Sequence, residues 1–235
     1  MAKRSFQVTV ESIETLTPTV KVFRLRLAPG AGFEFVAGQY VMVDIPKGHE
    51  VIQKAYSIAS PPAQDGSIDL CIKLVEGGYV STYFHLSVGV GDVLTIYEAQ
   101  GTFVDRGVDR ERVYVATGTG IAPIRSMIHA LHREGVRAPM WLFFGVRYED
   151  EILYADEWRR LQAEQPAFRF FPIISRPRAW QGDIGWVQDL LRRYLTDPAT
   201  KEAYVCGVVP MVKAVKPLLM ELGVPRAQIH TEKYT

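Results

Sequence analysis

Cysteine is scarce in this chain: Cys71 and Cys206 are the only two in 235 residues. Two thiols cannot build a disulfide framework, and alone they cannot hold an iron–sulfur cluster or a Cys-rich zinc site. An excess of charge of one sign is missing too. The 27 Lys and Arg stand against 26 Asp and Glu, a formal net charge of +1, and no basic block is present. Nucleic-acid binding is therefore not the expected task. Apolar runs such as Met140-Trp-Leu-Phe-Phe144 are far too short to span a bilayer, so no membrane span is expected. The opening Met-Ala-Lys-Arg-Ser-Phe carries no apolar stretch of the secretory kind. With unpaired cysteines, that points to a cytoplasmic protein. His49, His85, His129, His132 and His230 are too scattered to suggest a metal site, and no Gly-x-Ser-x-Gly elbow marks a hydrolase.

What is present is ordinary globular material. Hydrophobic residues make up 48% and charged residues 23%, enough for a sizeable core without staples. The first hundred residues read as short strands at 6–13, 21–27, 40–45, 68–75 and 93–97, rich in Val, Ile, Leu and aromatics. Turn clusters such as Pro29-Gly-Ala-Gly32, Pro46-Lys-Gly48 and Gln64-Asp-Gly66 separate them, which predicts an antiparallel barrel or sandwich. After the charged stretch at 105–112 the period changes. Strands at 113–116, 140–144, 168–174, 203–206 and 229–234 alternate with helical patterns, including 154–165, 187–195 and 211–222. Pro217 is expected to kink or interrupt the last helix. Strands alternating with helices imply a parallel sheet covered on both faces. Two domains follow, 1–106 and 107–235.

Three segments carry chemistry. Ala116-Thr-Gly-Thr-Gly-Ile-Ala-Pro123 joins an apolar strand to an amphipathic helix. Gly118 and Gly120 would let backbone approach a ligand, and a helix N-terminus offers free N–H groups suited to a diphosphate; a plain tight turn explains the spacing equally well. Glu76-Gly-Gly-Tyr-Val-Ser-Thr82 is a second such turn, where Ser81 or Thr82 can cap a short helix. In Lys54-Ala-Tyr-Ser-Ile-Ala-Ser60, strand spacing puts Lys54, Tyr56 and Ile58 on one face. A cation beside an aromatic ring suits a charged, flat ligand, and an ordinary edge strand is the alternative.

Together these segments resemble the ferredoxin–NADP reductase superfamily. Lys54 to Ser60 is similar to the family's Arg-x-Tyr-Ser-x-x-Ser flavin signature, and Gly38-Gln-Tyr-Val41 to the strand before it. Gly78 to Thr82 matches the segment contacting the flavin diphosphate, and Gly118 to Pro123 the nicotinamide-nucleotide loop. Cys206-Gly207 with Pro210 and Met211 resembles the Cys-Gly-Pro segment beside the nicotinamide. Glu232-Lys-Tyr234 resembles the ending of bacterial oxygenase reductases. The motifs occur in family order along essentially the whole chain.

The resemblance implies a six-stranded antiparallel flavin-binding barrel followed by a five-stranded parallel-sheet nucleotide-binding domain, with FAD and NADPH or NADH as cofactors. It implies hydride transfer between NAD(P)H and flavin N5, and electron delivery to a separate protein such as a ferredoxin, a Rieske-type protein or an oxygenase component. Tyr56 would pack on the isoalloxazine and Ser57 would hydrogen-bond near N5. Cys206 and Glu232 would order the nicotinamide and adjust charge around it. The implied cofactor contacts are Lys54, Ala55, Tyr56, Ser57, Ile72, Gly78, Val80, Ser81 and Thr82 for the flavin. For the nucleotide they are Gly118, Thr119, Gly120, Pro123, Arg147, Ser175, Arg176, Cys206, Gly207, Met211 and Tyr234.

Three positions depart from the family pattern. Lys54 replaces an arginine, keeping the charge and losing the bidentate fork. Glu98-Ala-Gln-Gly101 stands where relatives carry Gly-Pro-x-Gly, and Val208 where a proline is expected. Ser175-Arg-Pro-Arg178 resembles the pair that meets the 2′-phosphate of NADP, although Arg176 and Arg178 fit a solvated surface as well. Two other readings compete: a reductase of free flavins, and a non-catalytic nucleotide-binding subunit that senses redox state.

Overall fold

The structure, a computed structural model, describes residues 4–63, 65–107 and 109–234. Gln64 of the turn cluster and Val108 of the charged stretch lie outside the described residues, as do 1–3 and 235. The chain divides into two compact units. One comprises Met1–Asp105 with Arg125–Ala130, the other Arg106–Ile124 with Leu131–Thr235.

In the first unit, β1 (Ser5–Thr17), β2 (Val20–Leu27), β3 (Tyr40–Lys47), β4 (Glu50–Ser57), β5 (Ser67–Lys73) and β6 (Val93–Tyr97) form one antiparallel sheet ordered β4-β3-β6-β1-β2-β5. A bridge between Ile58 and Leu70, with the Ala59 N–H donating to the Asp69 carbonyl at 2.8 Å, joins the two ends of that order and closes a barrel. Alternation does the folding work. Phe6, Val8 and Val10 of β1 point inward with Phe23, Leu25 and Leu27 of β2, while Gln7, Thr9 and Glu11 face water. Helix α1 (Tyr79–Leu86) adds Phe84 to this core, edge-on to Phe23 with ring centres 5.2 Å apart. Its N-cap is Gly78. Ser81 and Thr82, expected as caps, therefore sit inside the first turn, because Gly78 already has the extended backbone a cap position needs.

In the second unit, β7 (Glu111–Thr117), β8 (Met140–Val146), β9 (Phe168–Ile174), β10 (Asp183–Ile184), β11 (Lys201–Val208) and β12 (Ile229–Tyr234) form a parallel sheet ordered β10-β9-β8-β7-β11-β12. The expected five strands are thus joined by a sixth of two residues, too short to leave a periodic signal. β7, β8 and β11 are buried almost continuously, as strands covered on both faces must be. α4 (Val187–Tyr194) and α5 (Val209–Leu222) pack on the face carrying Val113, Val115, Phe143 and Val205. α3 (Ala155–Glu164) sets Trp158 against Phe168 and Phe170. α2 (Ile121–Arg133), whose residues 125–130 are counted with the first unit, buries Ile121, Ile124, Met127, Ile128 and Leu131 at helical spacing.

Pro217 does not interrupt α5, which runs through it to Gly223. The proline is exposed, so water can reach backbone groups around the missing N–H. Gly223 closes the helix at φ +108, with the Val224 N–H returning to the Leu219 carbonyl at 2.8 Å.

Candidate active site

In the first unit the flavin signature occupies the end of β4 and the residues after it. Strand pairing places Tyr56 opposite Val41 and Ser57 opposite Tyr40. The half-buried Tyr56 ring meets Phe84 edge-on at 5.3 Å, and burial pushes its hydroxyl pKa up. Ser57 is buried, whereas Lys54 and Ala55 are exposed. Among the described residues the Lys54 side chain makes no hydrogen bond or ion pair, so its charge is available to a ligand. Two bonds hold the segment that follows: the Arg125 guanidinium donates to the Ala59 carbonyl at 2.9 Å, and the buried Ser126 hydroxyl to the Ser60 carbonyl at 2.7 Å.

The preceding motif and the unusual loop prove to be one construction. A side chain at Gly38, whose φ is +100, would overlap the Phe103 carbonyl oxygen. Tyr40 and Gln100 exchange backbone hydrogen bonds of 2.9 Å, and a Cβ at Gly101 would lie 3.1 Å from the Tyr40 ring. Glu98-Ala-Gln-Gly101 thus braces β3 without a proline.

The turn before α1 is tied internally. Ser81 Oγ accepts the Val75 N–H at 3.0 Å and lies 3.1 Å from the Gly78 carbonyl, so it is engaged within its own loop. Ile72 is buried in the barrel core, and its carbonyl lies 3.0 Å from His85 Nε2. Val80 packs against the same core, while the Thr82 N–H donates to the Gly78 carbonyl at 3.0 Å. The group that can meet a phosphate here is the set of amides of Tyr79, Val80 and Ser81, which precede the first α-helical hydrogen bond of α1.

In the second unit two motifs far apart in sequence meet. Gly118–Gly120 forms a 3₁₀ turn that runs straight into α2. A Cβ at Gly120 would overlap the Cys206 carbonyl oxygen and lie 2.6 Å from Gly207 Cα. A Cβ at Gly207 would overlap the Thr117 hydroxyl and lie 2.9 Å from Met211 Cε. Gly118 is different: it has φ +53 and nothing within 4 Å of an added Cβ, an open cradle at a helix start. Half-buried Thr119 sits between these glycines, and buried Pro123 lies in the first turn of α2, where its missing N–H costs nothing. Val208, where proline was expected, donates its backbone N–H to Thr117 Oγ1 at 3.4 Å. A proline would lack that donor.

Register puts Cys206 opposite Glu232 on one side and Ala116 on the other. Cys206 is fully buried. Burial pushes its thiol pKa well up, the Glu232 carboxylate adds to this, and a hydrogen bond with Tyr234 partly offsets it. At neutral pH Cys206 is therefore a neutral thiol rather than a nucleophile. Further along the sheet, Ser175, Arg176 and Arg147 stand together at the ends of β8 and β9. The Arg176 N–H donates to the Arg147 carbonyl at 2.7 Å and the Ser175 N–H to the Val146 carbonyl at 3.0 Å. Arg147 is held by Glu151 at 2.6 Å, whereas Arg176 is exposed.

Phe84, Arg125, Ser126 and the acidic run Glu149-Asp-Glu151 lie outside the motifs singled out from the sequence. Only the last left a signal, three carboxylates directly after a strand and complementary to the Arg-rich run at 175–178. Among the described residues no group of three or more His, Cys, Asp or Glu could hold a metal ion, and no helix is long and apolar enough to cross a membrane.

Residues 7–104 match the family described as Oxidoreductase FAD-binding domain, and residues 114–217 match Oxidoreductase NAD-binding domain. Ferredoxin–NADP reductase B of Sorangium cellulosum is 36% identical over 239 residues, covering 97% of each chain. The chain belongs to the ferredoxin–NADP reductase superfamily. As a member it is an NAD(P)H-dependent flavoprotein oxidoreductase with FAD and a nicotinamide nucleotide as cofactors. The open Gly118 cradle, the first-turn amides of α1 and the Tyr56 ring fit those groups. The phenol hydroxylase P5 protein of Acinetobacter pittii is 33% identical over 236 residues; the match covers 98% of this chain and 66% of that protein. Among solved structures, the flavohem-like FAD/NAD-binding domain of a nitric oxide dioxygenase from Vibrio cholerae superposes with a TM-score of 0.90 at 23% identity. That likeness covers 97% of this chain and 98% of the other, and it shows the shared fold.

Proposed function

We propose that this reductase carries electrons from NAD(P)H through FAD to a separate protein acceptor, a ferredoxin, a Rieske-type protein or an oxygenase component. Residues 1–106 are read as the FAD-binding domain and 107–235 as the nucleotide-binding domain. The observation that carries the reading is the meeting of Gly118–Gly120 with Cys206-Gly207, with Glu232 in register beside the thiol. A nucleotide loop and the residues for its reacting end are thereby assembled around one helix start. The names of the Sorangium and Acinetobacter relatives, a ferredoxin–NADP reductase and a phenol hydroxylase component, support exchange of electrons with a separate protein.

When bound, FAD supplies the ability to take two electrons from a nicotinamide and release them onward. The chain's own share is orientation and electrostatics. Tyr56 offers a flat apolar face for the isoalloxazine, and Ser57 a hydroxyl near its N5. Lys54 and the first-turn amides of α1 take the diphosphate charge, with Ala55, Ile72, Gly78, Val80, Ser81 and Thr82 shaping that pocket. Gly118, Thr119, Gly120 and Pro123 receive the nucleotide diphosphate, and Gly207, Met211 and Tyr234 flank the nicotinamide. Cys206, neutral and buried, presents a polarisable thiol without adding charge, and Glu232 supplies the negative charge nearby.

Ser57→Ala and Cys206→Ala are each expected to slow flavin reduction by about 10-fold or more, roughly 1.4 kcal/mol of transition-state stabilisation. Wild-type rates for both in anaerobic stopped-flow would sink the assignment. FAD retained through gel filtration is expected, and complete loss of the yellow colour would favour a reductase of free flavins instead. If neither NADPH nor NADH bleaches the bound flavin, a redox-sensing subunit is the better reading. Ser175 and Arg176 favour NADPH, and a larger specificity constant for NADH would overturn that preference. Two buried cysteines, neither in a disulfide, agree with work in the cytoplasm, and recovery in the membrane fraction of lysed cells would count against it.

A further inference from the structure

In the acidic turn Glu149–Glu151, which follows β8, each of the three carboxylates has a partner. Glu149 accepts the backbone N–H of Ala179 at 2.6 Å and of Arg178 at 3.2 Å. Its own backbone N–H, then those of Ala179 and Arg178, hold the Glu149 carboxyl below its usual pKa, so it is ionised at neutral pH. Asp150 lies 3.5 Å from the Arg178 guanidinium, which is stacked over Tyr148 with its carbon 4.2 Å from the ring centre. Glu151 binds the Arg147 guanidinium at 2.6 Å and the Arg147 backbone N–H at 3.1 Å. Three arginines thus gather at the ends of β8 and β9, and two of them already carry a carboxylate. Arg176, between them, is exposed and makes no side-chain hydrogen bond or ion pair among the described residues.

We propose that the Glu149–Glu151 turn positions the nucleotide-selectivity loop: it latches the backbone at 178–179, occupies Arg147 and Arg178, and leaves Arg176 as the cation presented to a 2′-phosphate. The inference rests on the reading that the ends of β8 and β9 receive the adenosine end of the nucleotide. Physically, a dianionic phosphate gains most from a cation that need not first give up a carboxylate. A loop held by two backbone hydrogen bonds also gives up less freedom on binding than a loose one. Glu149 and Glu151 are positioning residues and need not touch the nucleotide.

The two acids should therefore act in opposite directions. Glu151→Gln releases Arg147 toward the phosphate, whereas Glu149→Gln removes one of two acceptor oxygens and unlatches the loop. If the turn acted through its negative charge alone, both substitutions would strengthen phosphate binding equally. The test is calorimetric titration of the FAD-loaded protein with adenosine 2′,5′-bisphosphate and with 5′-AMP, scored as the ratio of the two Kd values. Arg176→Ala is expected to lower the preference for the bisphosphate about 10-fold. Glu149→Gln should lower it about 3-fold and Glu151→Gln raise it about 3-fold. Glu149→Ala, which removes both acceptors, should lower it at least as far as Glu149→Gln. If the two Gln variants move the ratio in the same direction, or leave it unchanged while Arg176→Ala lowers it, the positioning role is overturned and the nucleotide reading stands. If Arg176→Ala changes nothing, or the wild type does not distinguish the probes, the reading fails and the inference falls with it.

Discussion

Two glycine turns stand before two helices in this protein, and they keep their glycines for different reasons. Ahead of α1, Gly77 has φ +71 with nothing near an added Cβ, while a Cβ at Gly78 would lie 2.9 Å from Ser81 Oγ and 3.1 Å from Val75. That crowding is local, within a few residues of chain. Ahead of α2, Gly118 is the open position and Gly120 the crowded one, but its crowding comes from Cys206 and Gly207 on a neighbouring strand. The first turn is a self-contained loop tied by one serine. The second is a joint between β7, α2 and β11, so a change there reaches the strand that carries Cys206.

That contrast can be broken experimentally. Gly120→Ala should have the largest effect, about 3 kcal/mol or more, because the added methyl meets backbone that cannot move aside. Urea unfolding of the FAD-loaded protein measures it, and a loss no greater than for Gly78→Ala would remove the distinction. Gly78→Ala should cost about 2 kcal/mol, since its nearest neighbour is a serine hydroxyl that can shift. Gly118→Ala should cost about 1 kcal/mol, from left-handed backbone alone. Lys54→Ala should change stability by less than about 0.5 kcal/mol, since the side chain is exposed without a partner. It should nevertheless weaken FAD retention, and an unchanged flavin Kd would remove Lys54 from the phosphate site.

The same joint sharpens a pH expectation. The folded pKa of Cys206 is raised, so the stabilisation from its neutral thiol is complete below the unfolded value of about 8.5 and declines as pH rises above it. Iodoacetamide labelling, read by mass spectrometry, should rise through about pH 8.5 in urea and stay low to about pH 9 in the folded protein. Folded-state labelling that tracks the unfolded curve would show that the thiol is not sequestered.

Much of this architecture could be read from patterning. Alternation at 6–13 and 21–27, and apolar runs at 113–116 and 140–144, marked an antiparallel half and a parallel half, because a strand's burial on one face or two is written in its own residues. The flavin and nucleotide motifs were legible because each lies within one stretch of chain. β10 was not, being two residues long, and neither was the continuity of α5 through Pro217, which depends on that proline facing water. The braces were also silent: Arg125 on Ala59, Ser126 on Ser60 and Glu149 on the backbone of Arg178 and Ala179 all join residues that no local period relates.

The scarcity of cysteine takes on its meaning here. Residue types and their spacing were enough to establish an antiparallel half and a parallel half, because local conformation and burial follow from nearest neighbours along the chain; the closed barrel and its ligands entered as what the family resemblance implied. That Cys206 lies beside Glu232, that Gly207 presses on the Gly118–Gly120 turn, and that Arg147 is held while Arg176 stands apart came from sheet register and packing. Those relations join distant parts of the chain, and they exist only once strands pair and side chains compete for the same space.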